Sequence, residues 1–160
     1  MNDKLKLPQR SGPQPDTTST IPHSQLNQHG SDEIVGELHE WCFSLPAINN
    51  EQSGISVPGA RALVLQDGCN CNEEAFMIGR EFAHIHPHPD SGSMHVKVTA
   101  EDAKLVIEAG WGEDHFLVTM GRYPPGLIMV FSPRDRSELE VVKMIVAQSY
   151  EFATGKSLAV

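Results

Sequence analysis

Basic residues are scarce in this chain of 160 residues: 12 Lys and Arg stand against 21 Asp and Glu, a formal net charge of −9. Sequence-independent binding to phosphate backbones is carried by Lys and Arg that displace counterions, so nucleic acid is not an expected partner. Long apolar runs are also missing. No stretch approaches the ~20 apolar residues that span a bilayer, and the start Met1-Asn-Asp-Lys-Leu-Lys6 has no apolar signal core behind it. The expectation is a soluble, cytoplasmic chain with no membrane partner. Cysteine is sparse and odd in number, at Cys42, Cys69 and Cys71, which speaks against a disulfide framework and fits a reducing compartment. Cys69 and Cys71 lie in a turn composition, and a lone C-x-C pair is read as a hairpin loop that would chelate only with ligands from elsewhere.

Apolar residues make up 39% of the chain, and the shortfall from the globular norm is concentrated at the N-terminus. Residues 1–31 are Pro, Gln, Ser and Thr with few apolar side chains, which cannot repay the entropy of ordering. They are expected to be a disordered polar leader, with His23 and His29 solvated. Residues 32–155 form one expected domain and residues 156–160 a short tail.

Within the domain, Ser31 and early acids precede Ile34, Leu38 and Trp41 on one helical stripe. The residues from Arg61 to Gln66 suit a strand, as do residues 75–86 after the Cys-containing turn, and the two are expected to form a hairpin. Residues 94–99 alternate strictly, with Met94, Val96 and Val98 on one face and His95, Lys97 and Thr99 on the other. Residues 100–110 have helical composition with a glycine stop, and residues 126–131 suit a buried strand. An amphipathic helix from Ser137 closes the chain, with Leu139, Val142, Ile145, Val146 and Tyr150 inward and Gly155 as its stop. The order α-β-β-β-α-β-α predicts an α+β fold: a mainly antiparallel four-stranded sheet with helices packed on one face and the other face free to form a pocket.

The chemistry-bearing residues gather in residues 81–95. Strand geometry sends His84 and His86 to one side, with Phe82 and Arg80, while Ala83 and Ile85 point to the other and Glu81 faces away. If the turn pairs this strand with the next, His95 joins the two histidines, although a slip of one residue would reverse that. Three clustered imidazoles have three readings. They can ligate a divalent transition metal through His84, His86 and His95, with Asp90 or His115 as a further ligand. They can supply a general base that takes a proton from an acidic substrate. They can also be the hydrogen-bonded surface of a hairpin. Gly110-Trp-Gly-Glu-Asp-His115 adds a Trp111 that either lies flat against a ligand or caps the core, and a His115 that either faces the pocket or ends the loop. Arg134, directly after the last strand, either binds a carboxylate or enolate or pairs with a nearby acid such as Asp135 or Glu138.

Taken together, Arg80 through His95, Gly110 through His115, Phe131-Ser-Pro-Arg134 and Glu140-Val-Val-Lys-Met-Ile-Val146 resemble the fungal luciferase domain family. The likeness is carried by the order and spacing of these blocks between about residues 75 and 150. Fungal luciferases add molecular oxygen to 3-hydroxyhispidin, a flat acidic pyrone, without an added organic cofactor. The resemblance implies a cofactor-independent oxygenase acting on a small acidic enol or pyrone-type substrate and O2. His84, His86, His95 and Arg134 would be catalytic, as bases and anion clamp, and Trp111, His115 and Asp90 would bind substrate. A His-ligated metal enzyme and a non-catalytic small-ligand binding domain are the alternatives.

Overall fold

The apolar stripes of the sequence become the core of a sheet-and-helix sandwich. A computed structural model describes residues 5–67 and 71–159; Cys69 lies outside the described residues. Helix α1 is Asp32–Phe43, capped by Ser31, whose side chain accepts from Ile34 N, and it buries Ile34, Val35, Leu38 and Cys42. Strands β1 (Ile48–Gln52), β2 (Arg61–Leu65), β3 (Glu81–Ile85) and β4 (Met94–Lys97) follow, then α2 (Ala100–Glu108) and β5 (Gly112–Asp114). A short helix α3 (Phe116–Thr119), β6 (Leu127–Val130) and the long helix α4 (Arg136–Thr154) complete the order. All strand pairs are antiparallel, in the order β1-β2-β3-β4-β6-β5. Helix α4 packs on α1 and across β3 and β4, burying Leu139, Val142, Ile145, Val146 and Tyr150 as the periodicity predicts, and Gly155 ends it at φ +74°. Ile145→Val removes one methylene from this fully buried layer. A loss of about 1 kcal/mol is expected, read as a lower urea midpoint at unchanged slope.

The sheet has six strands where the sequence predicts four. β1, Ile-Asn-Asn-Glu-Gln, carries no apolar alternation and buries only Ile48; it is an edge strand held by backbone pairing to β2. β5 was hidden by its length of three residues and by its glycine. That glycine is what lets it pair: a Cβ on Gly112 would stand 2.3 Å from Met129 O, so any other residue would push β5 off β6.

Two further expectations are corrected. Residues 5–31 are not a loose leader among the described residues. Leu5, Arg10, His23 and Gln25 are buried, Leu5 joins the main core cluster, Arg10 N donates to Ala109 O, and His23 lies against His95 and His115 on the histidine-bearing face. Polar side chains fasten it where apolar ones are lacking, which composition alone does not register. Over His95 and His115 that face is therefore covered instead of open. Second, alternation breaks in β3. The register shifts between Leu63 and Val64, which pair with Ala83 and Glu81, a β-bulge that turns Phe82 into the core against Tyr150 and Glu81 toward His84.

Candidate functional site

The β3–β4 pairing sets Ala83 opposite Val96, His84 opposite His95 and Ile85 opposite Met94. Met94, Val96 and Ile85 thus enter the core while His84 and His95 emerge together on the other face. His86 comes from the end of β3, where its N–H donates to Ser93 O. His115 caps α3, its Nδ1 accepting from Leu117 N. The ring of His115 lies 4.4 Å from that of His95 and 5.3 Å from that of His23, centroid to centroid. All five rings are 2–9% exposed.

The hydrogen bonds on the outer nitrogens fix how the inner ones behave. Glu81 Oε2 accepts from His84 Nδ1 at 2.8 Å, and Glu81 is itself held by Ser53 Oγ at 2.7 Å and Gly54 N at 2.9 Å. His86 Nδ1 donates to Ser93 Oγ at 2.8 Å and lies 3.2 Å from Asp90 Oδ2, while Ser93 Oγ donates to Asp90 Oδ1 at 2.7 Å. Protons on Nδ1 suit these bonds and leave the Nε2 atoms of His84 and His86 as acceptors. Both point at His95 Nδ1, at 3.1 and 3.2 Å. His95 then carries its proton on Nδ1, shared between them, and leaves its Nε2 as a free acceptor. That Nε2 faces His23 Nδ1 at 3.3 Å.

Electrostatics follow from burial. His95 is held well below the usual histidine range, first by desolvation and then by its neighbours His86, His84, His115 and His23. His115 is lowered to about 4 by burial and then by His23, His84 and His86. His84 is also lowered by burial, which outweighs the bond from Glu81. For Glu81 and Asp90 burial alone would raise the pKa, but hydrogen bonds from His84 and from His86, respectively, lead the opposing causes and leave both carboxyls below their ordinary range. Burial thus favours the neutral form of His84, His95 and His115, with the Glu81 and Asp90 carboxylates behind the cluster.

The residues singled out from the sequence divide. His84, His86, His95, His115 and Asp90 come together. Trp111 takes the ordinary course, packed in the core with Nε1 donating to Pro8 O at 2.6 Å. Arg134 pairs with Glu138 through Nε and Nη2, the latter at 2.6 Å, and also binds Ser11 O, so its guanidinium is committed away from the rings. His23, Glu81 and Ser93 were missed. Glu81 needed the bulge to reach its partner, and nothing in a polar Pro-rich segment distinguishes His23 from a solvated histidine. A cavity of about 300 Å³, bordered by Asp32, His39, His86, Pro87 and His88, reaches the outer side of His86 but not His84, His95 or His115.

Comparison with known proteins bears on this arrangement. The Luciferase domain model matches residues 79–149. The chain is 30% identical to a luciferase of Armillaria mellea, over 96% of this chain and 65% of that protein. It is 29% identical to a luciferase of Armillaria gallica over 92% of this chain and 61% of that one. A luciferase of Neonothopanus nambi is 36% identical over 47% of this chain and 28% of its own length. The chain thus spans less than two thirds of the length of these relatives, and the likeness extends well before residue 75, where the sequence motifs are weak. No solved structure matches. Strands β3 to β6, which position His84, His86, His95 and His115, lie within residues 79–149, the stretch that matches the Luciferase domain and in which the chain is similar to these fungal luciferases.

Proposed function

We propose that this chain is an oxygenase that joins dioxygen to a small, flat, acidic enol or pyrone-type substrate without an organic cofactor, with His95 Nε2 as the proton acceptor. The supporting observation is the directed set of nitrogens: the anchored tautomers of His84 and His86 leave one lone pair that neither of them engages, on His95 Nε2, met only by His23 Nδ1 at 3.3 Å. A substrate enol would give its proton to that atom. The imidazolium so formed keeps its other N–H between two acceptors backed by Glu81 and Asp90, which resembles the carboxylate–histidine support of hydrolytic triads. The deprotonated enol is the better electron donor to oxygen, and the imidazolium offsets the negative charge. Arg134 is not needed as the clamp in this reading.

A second reading is favoured by the spacing. In a tetrahedral site with metal–nitrogen bonds of about 2.0–2.1 Å, ligand nitrogens stand roughly 3.3 Å apart, close to the 3.1 and 3.2 Å found around His95 Nδ1. The nitrogens of His84, His86 and His95 lie within 4.8 Å of one another. Outer nitrogens bound to carboxylates are also the usual support of metal-bound histidine.

Oxygen uptake by untagged, chelator-treated protein with 3-hydroxyhispidin and simpler hydroxypyrones tests both. Uptake that survives chelation supports the base. Uptake lost on chelation and restored by a divalent ion, with about one metal per chain, selects the second reading. No uptake with any hydroxypyrone under either condition overturns the oxygenase proposal.

A further inference from the structure

His95 and His115 are covered by His23, which is carried on a small hairpin with its own internal bonds. Residues 16–27 form a hairpin closed on itself: Thr17 bridges Gln25, Thr18 N donates to Ser24 O at 2.9 Å, and Leu26 N donates to Asp16 O at 2.7 Å. Asp16 and Asn27 exchange two further bonds, at 2.8 and 2.9 Å. None of these is lost if the hairpin moves as a body. Its ties to the domain are polar: Gln25 N to Asp90 Oδ2 at 3.1 Å, Ser132 N to Gln25 Oε1 at 2.9 Å, and His23 against His95 and Glu113. Its own aliphatics face solvent, Ile21 at 60% and Leu26 at 58% exposure. Apolar burial is the main force that holds an element down, and here it is nearly absent, whereas hydrogen bonds can be exchanged for bonds to water.

We propose that this hairpin is a displaceable strap, and that the space filled by the His23 ring, between His95, His115 and Glu113, receives the flat acidic ring of the substrate. The inference rests on the reading of His95 as the reaction centre and adds where the substrate lies. The slot has the shape of one planar ring: His23 lies nearly parallel to His95, at 18°, and edge-on to His115, at 79°. It offers two acceptors. One is the Nε2 of His95, which His23 Nδ1 meets at 3.3 Å. The other is Glu113 Oε1, a buried atom whose contact with His23 Nε2 is long, at 3.4 Å. His23 therefore meets both acceptors only at the long end of hydrogen-bonding range, 3.3 and 3.4 Å. A ring with an acidic hydroxyl for His95 and a second hydroxyl for Glu113 would fit both acceptors better, and its arrival would displace the strap.

The probe is 4-nitrocatechol, a flat ring with an acidic and a second hydroxyl, titrated by its visible absorbance under nitrogen into metal-stripped protein. A competitor tethered in the site lowers apparent affinity by the fraction of time the site is open, so H23A is expected to bind at least about tenfold more tightly than the natural chain. H23F, which refills the slot, should bind no better than the natural chain. In the natural chain, saturating probe should speed hydrogen exchange at the amides of Gln25 and Ser132, which the strap protects, and leave the β4 amides slow. Equal affinity of H23A and the natural chain, or protected Gln25 and Ser132 amides at saturation, overturns the proposal. The exchange measurement needs no variant, so it holds if H23A fails to fold. Both arms read binding without turnover, so their failure is distinct from failure of the oxygenase reading.

Discussion

Replacing His95 by Ala should lower oxygen uptake with a hydroxypyrone by about 100- to 10,000-fold, the usual contribution of a positioned general base. The size of the loss comes from the place of His95 in the network. It is the ring to which both His84 Nε2 and His86 Nε2 point, and its own Nε2 is the only one of those three inner nitrogens left without a proton source within the trio. Removing it leaves two acceptors facing a gap and no atom to take the substrate proton. A surface control separates this from a general loss of histidine: His88 is exposed and pairs with Asp32, so H88A should be silent. The comparison is made as initial oxygen uptake at saturating substrate, after near-UV circular dichroism has shown both variants folded. An H95A rate within threefold of the natural chain would remove His95 from the chemistry.

How far the sequence discloses this site depends on the period of each segment. The alternation of Met94, Val96 and Val98 correctly orients His95, and the β3–β4 register follows from it, because a slip of one residue would put histidines in the core. The α4 stripe is equally legible. What stays hidden is whatever departs from a period. The bulge opposite Leu63 and Val64 swaps the sides of Glu81 and Phe82, and so conceals the carboxylate that fixes His84. β1 and β5 are held by backbone bonds that no side-chain pattern records. The strap is the extreme case. Its fastening runs through Gln25, His23 and His29 to partners more than 60 positions away, and composition describes such a segment only as polar. Arg134 and Trp111 show the opposite limit: a residue type suited to a site is as readily used by the scaffold, and Glu138 and the core claim them first.

Acid should destabilise the metal-stripped protein well before its carboxylates titrate. An unfolded histidine ionises near 6.5, whereas His115 in the fold is held at about 4, and His95 and His84 are also lowered, burial being the first cause for each. Between the folded and unfolded values the unfolded chain binds protons that the folded chain refuses, so stability is intact above 6.5 and falls as pH drops toward the folded values. At 1.36 kcal/mol per pH unit, His115 alone loses about 3 kcal/mol between pH 6.5 and 4. His95 and His84, lowered first by the same burial, act in the same direction. The carboxyls facing the cluster, Glu81, Asp90 and Glu113, are held below their ordinary range, so their stabilisation is present above about 4 and disappears only at lower pH. Urea midpoints from pH 8 to 4.5 should therefore be level above 7 and fall steeply below 6.5, and His115→Asn should make that fall shallower by up to about 1.4 kcal/mol per pH unit. A midpoint unchanged between pH 7 and 5 would mean that the rings are hydrated or already charged in solution, and the neutral cluster from which His95 Nε2 draws its free lone pair would not exist.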